Sequence, residues 1–419
     1  MSALLSSASS VLSGTLSRDG AAGGSIAGGS VADGGFDTLF QGATGHEPLP
    51  WQEELFNKFV SEKFFAPAAP ASASANIPTG LGKTSVVAIW LLALARQTLE
   101  RNAAGAAADG AAADGAGAVA VGAGGVAAVP RRLVYVVNRR TVVDQTTAEV
   151  EKLRDALANA AAGSPLAEVR DALRSLCALP LPADASPLAI STLRGQFADN
   201  GDWCADPSRP AVIVGTVDMI GSALLFSRYN TGFKTRPLHA AFLAQDALLV
   251  HDEAHLEPAF QHLLDEIVAT QNTAGGDPRR LRVLELTATS RSEEKNSAPA
   301  LTLSAADLEN ETVRKRYNAA KHLSFVPLVA DEKLPVKLAA LALQKATGTG
   351  GSTDAGTTDP DRAVLIFVRS VEDAVKIADA LDKNDTKGRV ATLTGTMRGK
   401  ERDELVSANA VFQRFLPAA

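Results

Sequence analysis

Ile77-Pro78-Thr79-Gly80-Leu81-Gly82-Lys83-Thr84 is the stretch on which the reading of this chain turns. Small residues let a backbone wrap a polyphosphate with its N–H groups, and the helix that follows points its positive end at the same anion. In such a loop Thr79, Gly80, Leu81 and Gly82 form the cradle. Lys83 reaches the β- and γ-phosphates, and the Thr84 hydroxyl ligates Mg²⁺. The pattern G-x-x-x-x-G-K-[ST] is met except at its first glycine, where Ile77 stands. Apolar Val86, Val87, Ile89, Trp90, Leu91, Leu92 and Leu94 follow directly, as a buried helix behind the loop requires. Far downstream, Leu249-Val250-His251-Asp252-Glu253-Ala254-His255 is an apolar strand ending in two adjacent carboxylates. Asp252 is placed to hold the magnesium, and Glu253 to orient and deprotonate a water. The expected chemistry is nucleoside triphosphate hydrolysis, with ATP and Mg²⁺ as cofactors.

The 419 residues exceed one ordinary domain, so two are expected, and a hydrophobic content of 46% suffices for sizeable cores. A net charge of −6 argues against a globally basic nucleic-acid coat but leaves room for a local basic groove. Arg131 to Arg154 carries six basic against three acidic residues and is a candidate contact surface, with a solvated helix face as the competing reading. Cys177 and Cys204 are well separated in the chain and have no histidine neighbours, which fits a reducing cytosol rather than a disulfide or zinc site. No secretory signal is evident at the N-terminus. The longest apolar run, Val86 to Ala95, is half a membrane span. A cytoplasmic protein without a membrane partner is expected.

Residues 1–45 are rich in Ser, Gly and Ala and are expected to be disordered. Residues 103–129 contain 21 Ala or Gly out of 27, which reads as a flexible insertion, an alanine helix being the alternative. Strand candidates alternate with helix candidates: Arg132–Asn138, Leu188–Leu193, Val212–Gly215, Leu248–Val250, Leu281–Leu286, Ala363–Arg369 and Arg389–Leu393. Such alternation implies an α/β fold with a parallel sheet and helices on both faces. The expected organisation is a first α/β domain over 46–305, a connector and linker over 306–361, and the start of a second over 362–419.

The order of the motifs resembles that of superfamily 2 helicases, whose motor is two RecA-like domains with ATP between them. Pro50-Trp51-Gln52 is similar to the Q motif, in which the glutamine, here Gln52, reads the adenine edge. Asn138-Arg139-Arg140-Thr141, Ser191-Thr192-Leu193-Arg194 and Gly215-Thr216-Val217-Asp218 resemble motifs Ia, Ib and Ic, which touch the backbone of the tracking strand. Asp252-Glu253-Ala254-His255 matches motif II. Thr287-Ala288-Thr289 matches motif III, and with His255 it would couple hydrolysis to domain movement. Ile366-Phe367-Val368-Arg369 looks like motif IV, and Thr394-Gly395-Thr396-Met397-Arg398-Gly399 like the nucleic-acid loop after it. Short Thr, Ser, Arg and Gly residues at the carboxyl ends of parallel strands suit a phosphodiester backbone.

More narrowly, Tyr135-Val-Val-Asn-Arg-Arg-Thr-Val-Val-Asp-Gln145, Leu193-Arg194-Gly195-Gln196 and Leu393-Thr394-Gly395-Thr396-Met397-Arg398 resemble the CRISPR-associated helicase of type I interference systems. The resemblance covers roughly residues 46–415. It implies translocation on single-stranded DNA after recruitment by an RNA-guided surveillance complex. Two departures stand out. The family's HD nuclease has no counterpart, since His251-Asp252 belongs to the strand and motif II, and His46, His239, His262 and His322 are scattered. Motifs V and VI are also not found, and Gln413-Arg414-Phe415 is too short to be motif VI. An arginine finger is worth on the order of 10³–10⁵ in turnover, so this chain is expected to bind ATP and hydrolyse it poorly. The alternatives are another superfamily 2 helicase acting on DNA or RNA, and an ATP-binding remnant without turnover.

Overall fold

The computed structural model describes residues 35–65, 69–113, 129–193, 201–229, 231–274, 279–288, 301–319, 323–328, 332–347, 363–383 and 389–415. The chain divides into two units, Met1–Ala319 and Ala320–Ala419. In the first, α1 (Phe36–Thr44), α2 (Pro50–Val60) and α3 (Glu62–Phe65) precede β1 (Ser72–Asn76) and α4 (Val86–Ala113). Then come β2 (Arg132–Val137), α5 (Arg140–Ala158), α6 (Pro165–Arg174), β3 (Ala189–Leu193), α7 (Asp202–Ala205) and β4 (Ala211–Thr216). The chain continues through α8 (Val217–Leu224), α9 (Arg236–Ala244), β5 (Ala247–Asp252) and α10 (Pro258–Ala274). It closes with β6 (Arg282–Thr287), β7 (Leu301–Thr302), α11 (Ala305–Glu309) and α12 (Glu311–Tyr317).

The seven strands form one sheet in the order β3-β4-β2-β5-β6-β1-β7, every pairing parallel. Its central strands are aliphatic runs because both faces are covered. Leu133, Tyr135, Val137, Leu248 and Val250 point to one face, where α1, α2, α4, α5 and α6 pack. Val134, Val136, Ala247 and Leu249 point to the other, against α7, α8, α9 and α10. This is the α/β class expected from the alternating pattern. The carboxyl ends of β1, β2, β4, β5 and β6 deliver Ile77, Asn138, Thr216, Asp252 and Thr287 to one edge of the sheet, the position such sheets reserve for ligands. Among the described residues no helix is long and apolar enough to cross a membrane.

Several boundaries differ from those expected. Order begins within residues 1–45, because Phe36, Leu39, Phe40 and Ala43 fall on one face of α1 and are buried. Helix α4 runs to Ala113, well into the Ala/Gly-rich stretch. Alanine's helix propensity there outweighs Gly105 and Gly110, at about 1 kcal/mol each; residues 114–128 lie outside the described set. The first unit extends past 305 to Ala319, since α11 and α12 anchor to it through buried Asp307 and Val313. The basic residues of 131–154 do not share a surface. Arg131 and Arg132 sit at the amino end of β2, near Asp246 and the Gln245 carbonyl, while Arg139 lies beyond its carboxyl end.

In the second unit α13 (Leu334–Thr347) lies inside the stretch expected to be a linker and packs on α14 (Val371–Asp382). The short helices α15 (Gly399–Ala408) and α16 (Ala410–Gln413) follow. Ala339, Ala342, Ile377 and Leu381 make its small core, with Ile366, Val368 and Val390 packed against it. Residues 363–368 and 390–394, expected as strands, join no hydrogen-bonded ladder among the described residues. The first nonetheless keeps a period of two, with Leu365 and Phe367 exposed and Ile366 and Val368 packed inward.

Candidate active site

The phosphate-type loop leaves β1 between β6 and β7. Ile77 is fully buried and donates its backbone N–H to the Thr287 carbonyl at 3.0 Å, so the residue replacing the usual first glycine serves as a sheet anchor. Gly80 and Gly82 both take left-handed conformations, φ +84° and +74°, which a side chain adopts only under strain. A Cβ on Gly82 would also meet Gln52 Nε2 at 3.0 Å, whereas one on Gly80 would meet nothing. Lys83, Thr84 and Ser85 form a single 3-10 turn that opens α4. Thr79, Gly80 and Gly82 are exposed, Leu81 and Lys83 are buried, and Thr84 is half-buried.

Two more elements hold this loop. Trp51 Nε1 donates to the Leu81 carbonyl at 3.2 Å. Gln52 accepts from the Leu49 N–H at 2.7 Å and donates to Ser85 Oγ at 2.7 Å; Ser85 Oγ donates in turn to the Gly82 carbonyl at 2.7 Å. The side chain assigned from sequence to the adenine therefore caps α2 and braces the loop. From the far end of the unit, fully buried Asp307 accepts from Trp51 N at 2.7 Å and from Ser304 N and Oγ. Arg316 on α12 donates to the Gly80 carbonyl.

The Lys83 ammonium lies between the two carboxylates, 2.5 Å from Glu253 Oε1 and 3.9 Å from Asp252 Oδ1. Asp252 ends β5. Its Oδ2 accepts from Tyr135 Oη at 3.0 Å, while Oδ1 is buried with no hydrogen-bond partner. Burial raises the Asp252 pKa, against the lowering pull of Lys83 and Tyr135. Tyr135 is fully buried, and burial followed by the neighbouring Asp252 charge holds its phenol well above its ordinary pKa. Thr84 acts on the same phenol in the opposite, lowering sense. One phenol on β2 thus orients Asp252, which with Thr84 was assigned to the metal. The unpartnered buried Oδ1 and the Thr84 hydroxyl are hard oxygen donors of the kind Mg²⁺ takes, so the residues fit that ion.

Glu253 is one of three non-glycine residues with positive φ among those described, at +52°. Such a conformation is strained and concentrates at functional sites. Glu253 Oε2 is 3.5 Å from His255 Nδ1, which lies 3.2 Å from Thr287 Oγ1. Lys83, Glu253, His255 and Thr287 form one polar chain from the loop to the end of β6. His251, by contrast, is fully buried and pairs with Gln261 at 2.9 Å beneath Phe260.

The residues assigned to nucleic acid are less concentrated. Arg139 is exposed at the N-cap of α5, and Asp218 is exposed in the first turn of α8. Thr192 pairs with Thr147 at 3.1 Å, and Thr216 is buried. A Cβ on Gly215 would come within 2.9 Å of Ile220 Cδ1, so packing alone requires that glycine. Arg369 and Arg398 are exposed on the second unit. The side chain of Arg140, and Arg194 and Thr289 altogether, lie outside the described residues.

Tyr135, Asp307, Ser85 and Arg316 were not assigned a role from sequence. A tyrosine inside the aliphatic run Leu133 to Val137 was the available signal for the first. Asp307 and Arg316 act across 256 and 236 residues, and Ser85 meets Gln52 across 33, separations that no local pattern encodes.

No family model matches the chain, and no curated protein does. Among solved structures it is similar to the DUF1998 helicase MrfA bound to DNA and AMPPNP, with a TM-score of 0.45 and 12% identity. It is also similar to a hypothetical ATP-dependent RNA helicase from Sulfolobus tokodaii, with a TM-score of 0.29 and 11% identity. The matches cover 88% and 61% of this chain, which spans 42% and 51% of those chains. Both scores lie below 0.5, and the case for a function rests on the site itself.

Proposed function

We propose that this chain carries the ATP-hydrolysing part of a superfamily 2 helicase that moves on single-stranded DNA. The observation that carries the reading is the Lys83 ammonium held against Asp252 and Glu253, with Tyr135 donating to Asp252. In this reading the N–H groups of Thr79 to Thr84 receive the phosphates, and Lys83 exchanges its carboxylate contacts for phosphate oxygens. Thr84 and Asp252 would hold a magnesium ion, which would supply neutralisation of phosphate charge. Glu253 orients a water and accepts its proton; His255 and Thr287 receive the change in Glu253 and pass it to the carboxyl-end loops. Arg139, Arg140, Thr192, Arg194, Gly215, Thr216 and Asp218 contact the strand's backbone, joined by Arg369 and Arg398. The motif wording supports a place in type I CRISPR defence, with recruitment by an RNA-guided surveillance complex.

The test pairs nucleotide binding with ATPase assays, with and without single-stranded DNA. Wild type binds ATP in a Mg²⁺-dependent manner. Glu253→Gln keeps that affinity and loses any turnover, by at least about 10²-fold. Hydrolysis that survives Glu253→Gln overturns its assignment, and failure of wild type to bind ATP overturns the phosphate-loop reading. Stimulation by RNA but not DNA would identify a different helicase.

A further inference from the structure

We propose that Phe226, Tyr229 and Phe233, with Lys234 beside them, form a base-stacking platform for single-stranded DNA on the α8–α9 connection. The inference rests on the motor reading and adds to it a contact surface that none of the motifs includes. Five large apolar or aromatic side chains are exposed in this short stretch, namely Leu225, Phe226, Tyr229, Phe233 and Leu238, with Phe233 at 83%. A soluble surface rarely displays such a cluster without a partner.

Charge decides which partner. Acidic residues number 47 in 419, about one in nine, yet Met219 to Gln245 contains none. The same stretch offers an exposed Lys234 and a half-buried Arg236, while Arg228 is turned inward. Aromatic faces interleaved with cations suit a polyanion whose bases stack, and they suit a neutral protein surface less well.

The connection is also built, not loose. Arg228 is buried, with its guanidinium 5.2 Å from the Trp203 ring centroid and Nη1 2.6 Å from His239 Nδ1. Ser227 N donates to the Ser222 carbonyl at 2.7 Å, and Thr235 N and Oγ1 both donate to the Gly232 carbonyl. Phe226 is held at φ +58°, a strained conformation for an aromatic residue. The fold therefore fixes its polar side inward and presents three aromatic rings outward. Helix α8 is eight residues long, roughly 12 Å, so the platform lies one short helix beyond Gly215-Thr216.

Phe233→Trp supplies a direct probe, because Trp51, Trp90 and Trp203 are all buried. Titration of that variant of the full chain with a thymidine oligonucleotide is expected to quench the new emission. Quenching should saturate where the anisotropy of the labelled oligonucleotide saturates. Replacing Tyr229 and Phe233 with alanine should weaken oligonucleotide binding by roughly 5- to 100-fold for each stacked base lost, with ATP affinity unchanged. Lys234→Ala should lower the slope of log affinity against log salt by about 1, and the aromatic variants should leave it alone. Unchanged Phe233→Trp emission while anisotropy reports binding would overturn the platform and leave the motor reading standing. No oligonucleotide binding by wild type would overturn both. Self-association abolished by the double alanine variant, with oligonucleotide affinity intact, would make the patch a protein interface and also overturn the proposal.

Discussion

Tyr135→Phe is the sharpest test of how the site is held. The substitution removes one oxygen and keeps the ring that fills the core on that face of β2. What it deletes is the 3.0 Å hydrogen bond to Asp252 Oδ2. Asp252 Oδ1 has no hydrogen-bond partner, so the carboxylate is left with Lys83 at 3.9 Å. A hydrogen bond to a charged group contributes about 1.5–3 kcal/mol. Partners that orient metal ligands typically matter by about 10- to 100-fold in metal affinity. We therefore expect the Mg²⁺ midpoint for binding a fluorescent ATP analogue to rise about 10- to 100-fold in Tyr135→Phe. Binding in the presence of a chelator should not change. Because the Tyr135 pKa lies well above its ordinary value, the phenol stays a donor through mildly alkaline pH, and the wild-type Mg²⁺ midpoint should show no loss there from this group. An unchanged midpoint in Tyr135→Phe, with only a lower melting temperature, would refute the reasoning and reduce the hydroxyl to a packing detail.

Other expectations follow from the same geometry. Lys83→Ala should abolish nucleotide binding by titration. It should also destabilise the chain by about 1–3 kcal/mol in denaturant melts, less than for a fully buried pair because Glu253 is a quarter exposed. Gly80→Ala should cost about 1–2 kcal/mol for its left-handed backbone alone. Gly82→Ala should cost more and weaken ATP binding, because its Cβ displaces Gln52; equal effects would sink the bracing role of Gln52. Asp252 has a raised pKa, so its charged form burdens the folded state at neutral pH, and that burden is relieved as pH falls through the raised value toward the ordinary one. Asp252→Asn should accordingly raise the melting temperature near pH 7 while removing Mg²⁺-dependent binding. The difference in melting temperature should shrink on acidification.

The strands at the centre of the sheet were legible because burial on both faces makes them aliphatic runs, and β2, β4, β5 and β6 appear where those runs lie. Strand β1 was not. Ser72-Ala-Ser-Ala-Asn76 has poor strand propensity and is a strand because β6 and β7 flank it. Helix α1 was hidden inside a Ser/Gly/Ala-rich terminus, although Phe36, Leu39, Phe40 and Ala43 carry its period. Residues 363–368 show the reverse failure, with an alternating pattern present and no ladder formed. At the site, the residues that a loop or strand end presents locally were readable. Those that brace it were not, since Asp307 meets Trp51 across 256 residues and Tyr135 meets Asp252 across 117.

The position of β1 has a consequence for how the protein is made. Its sheet neighbours, β6 from Arg282 and β7 from Leu301, are synthesised long after it, and so is Asp307, the carboxylate that receives the Trp51 N–H. At a synthesis rate of about 5–20 residues per second, the loop strand waits on the order of 10–50 s for them. Throughout that interval α2 and α4 can pack on each other and on α1 and α6, while the strand that carries the loop has neither of its sheet partners. The nascent chain therefore passes through a long window in which the edges of β1 are unpaired. A stall before residue 307 leaves a product in which the Trp51 N–H never meets the carboxylate that receives it.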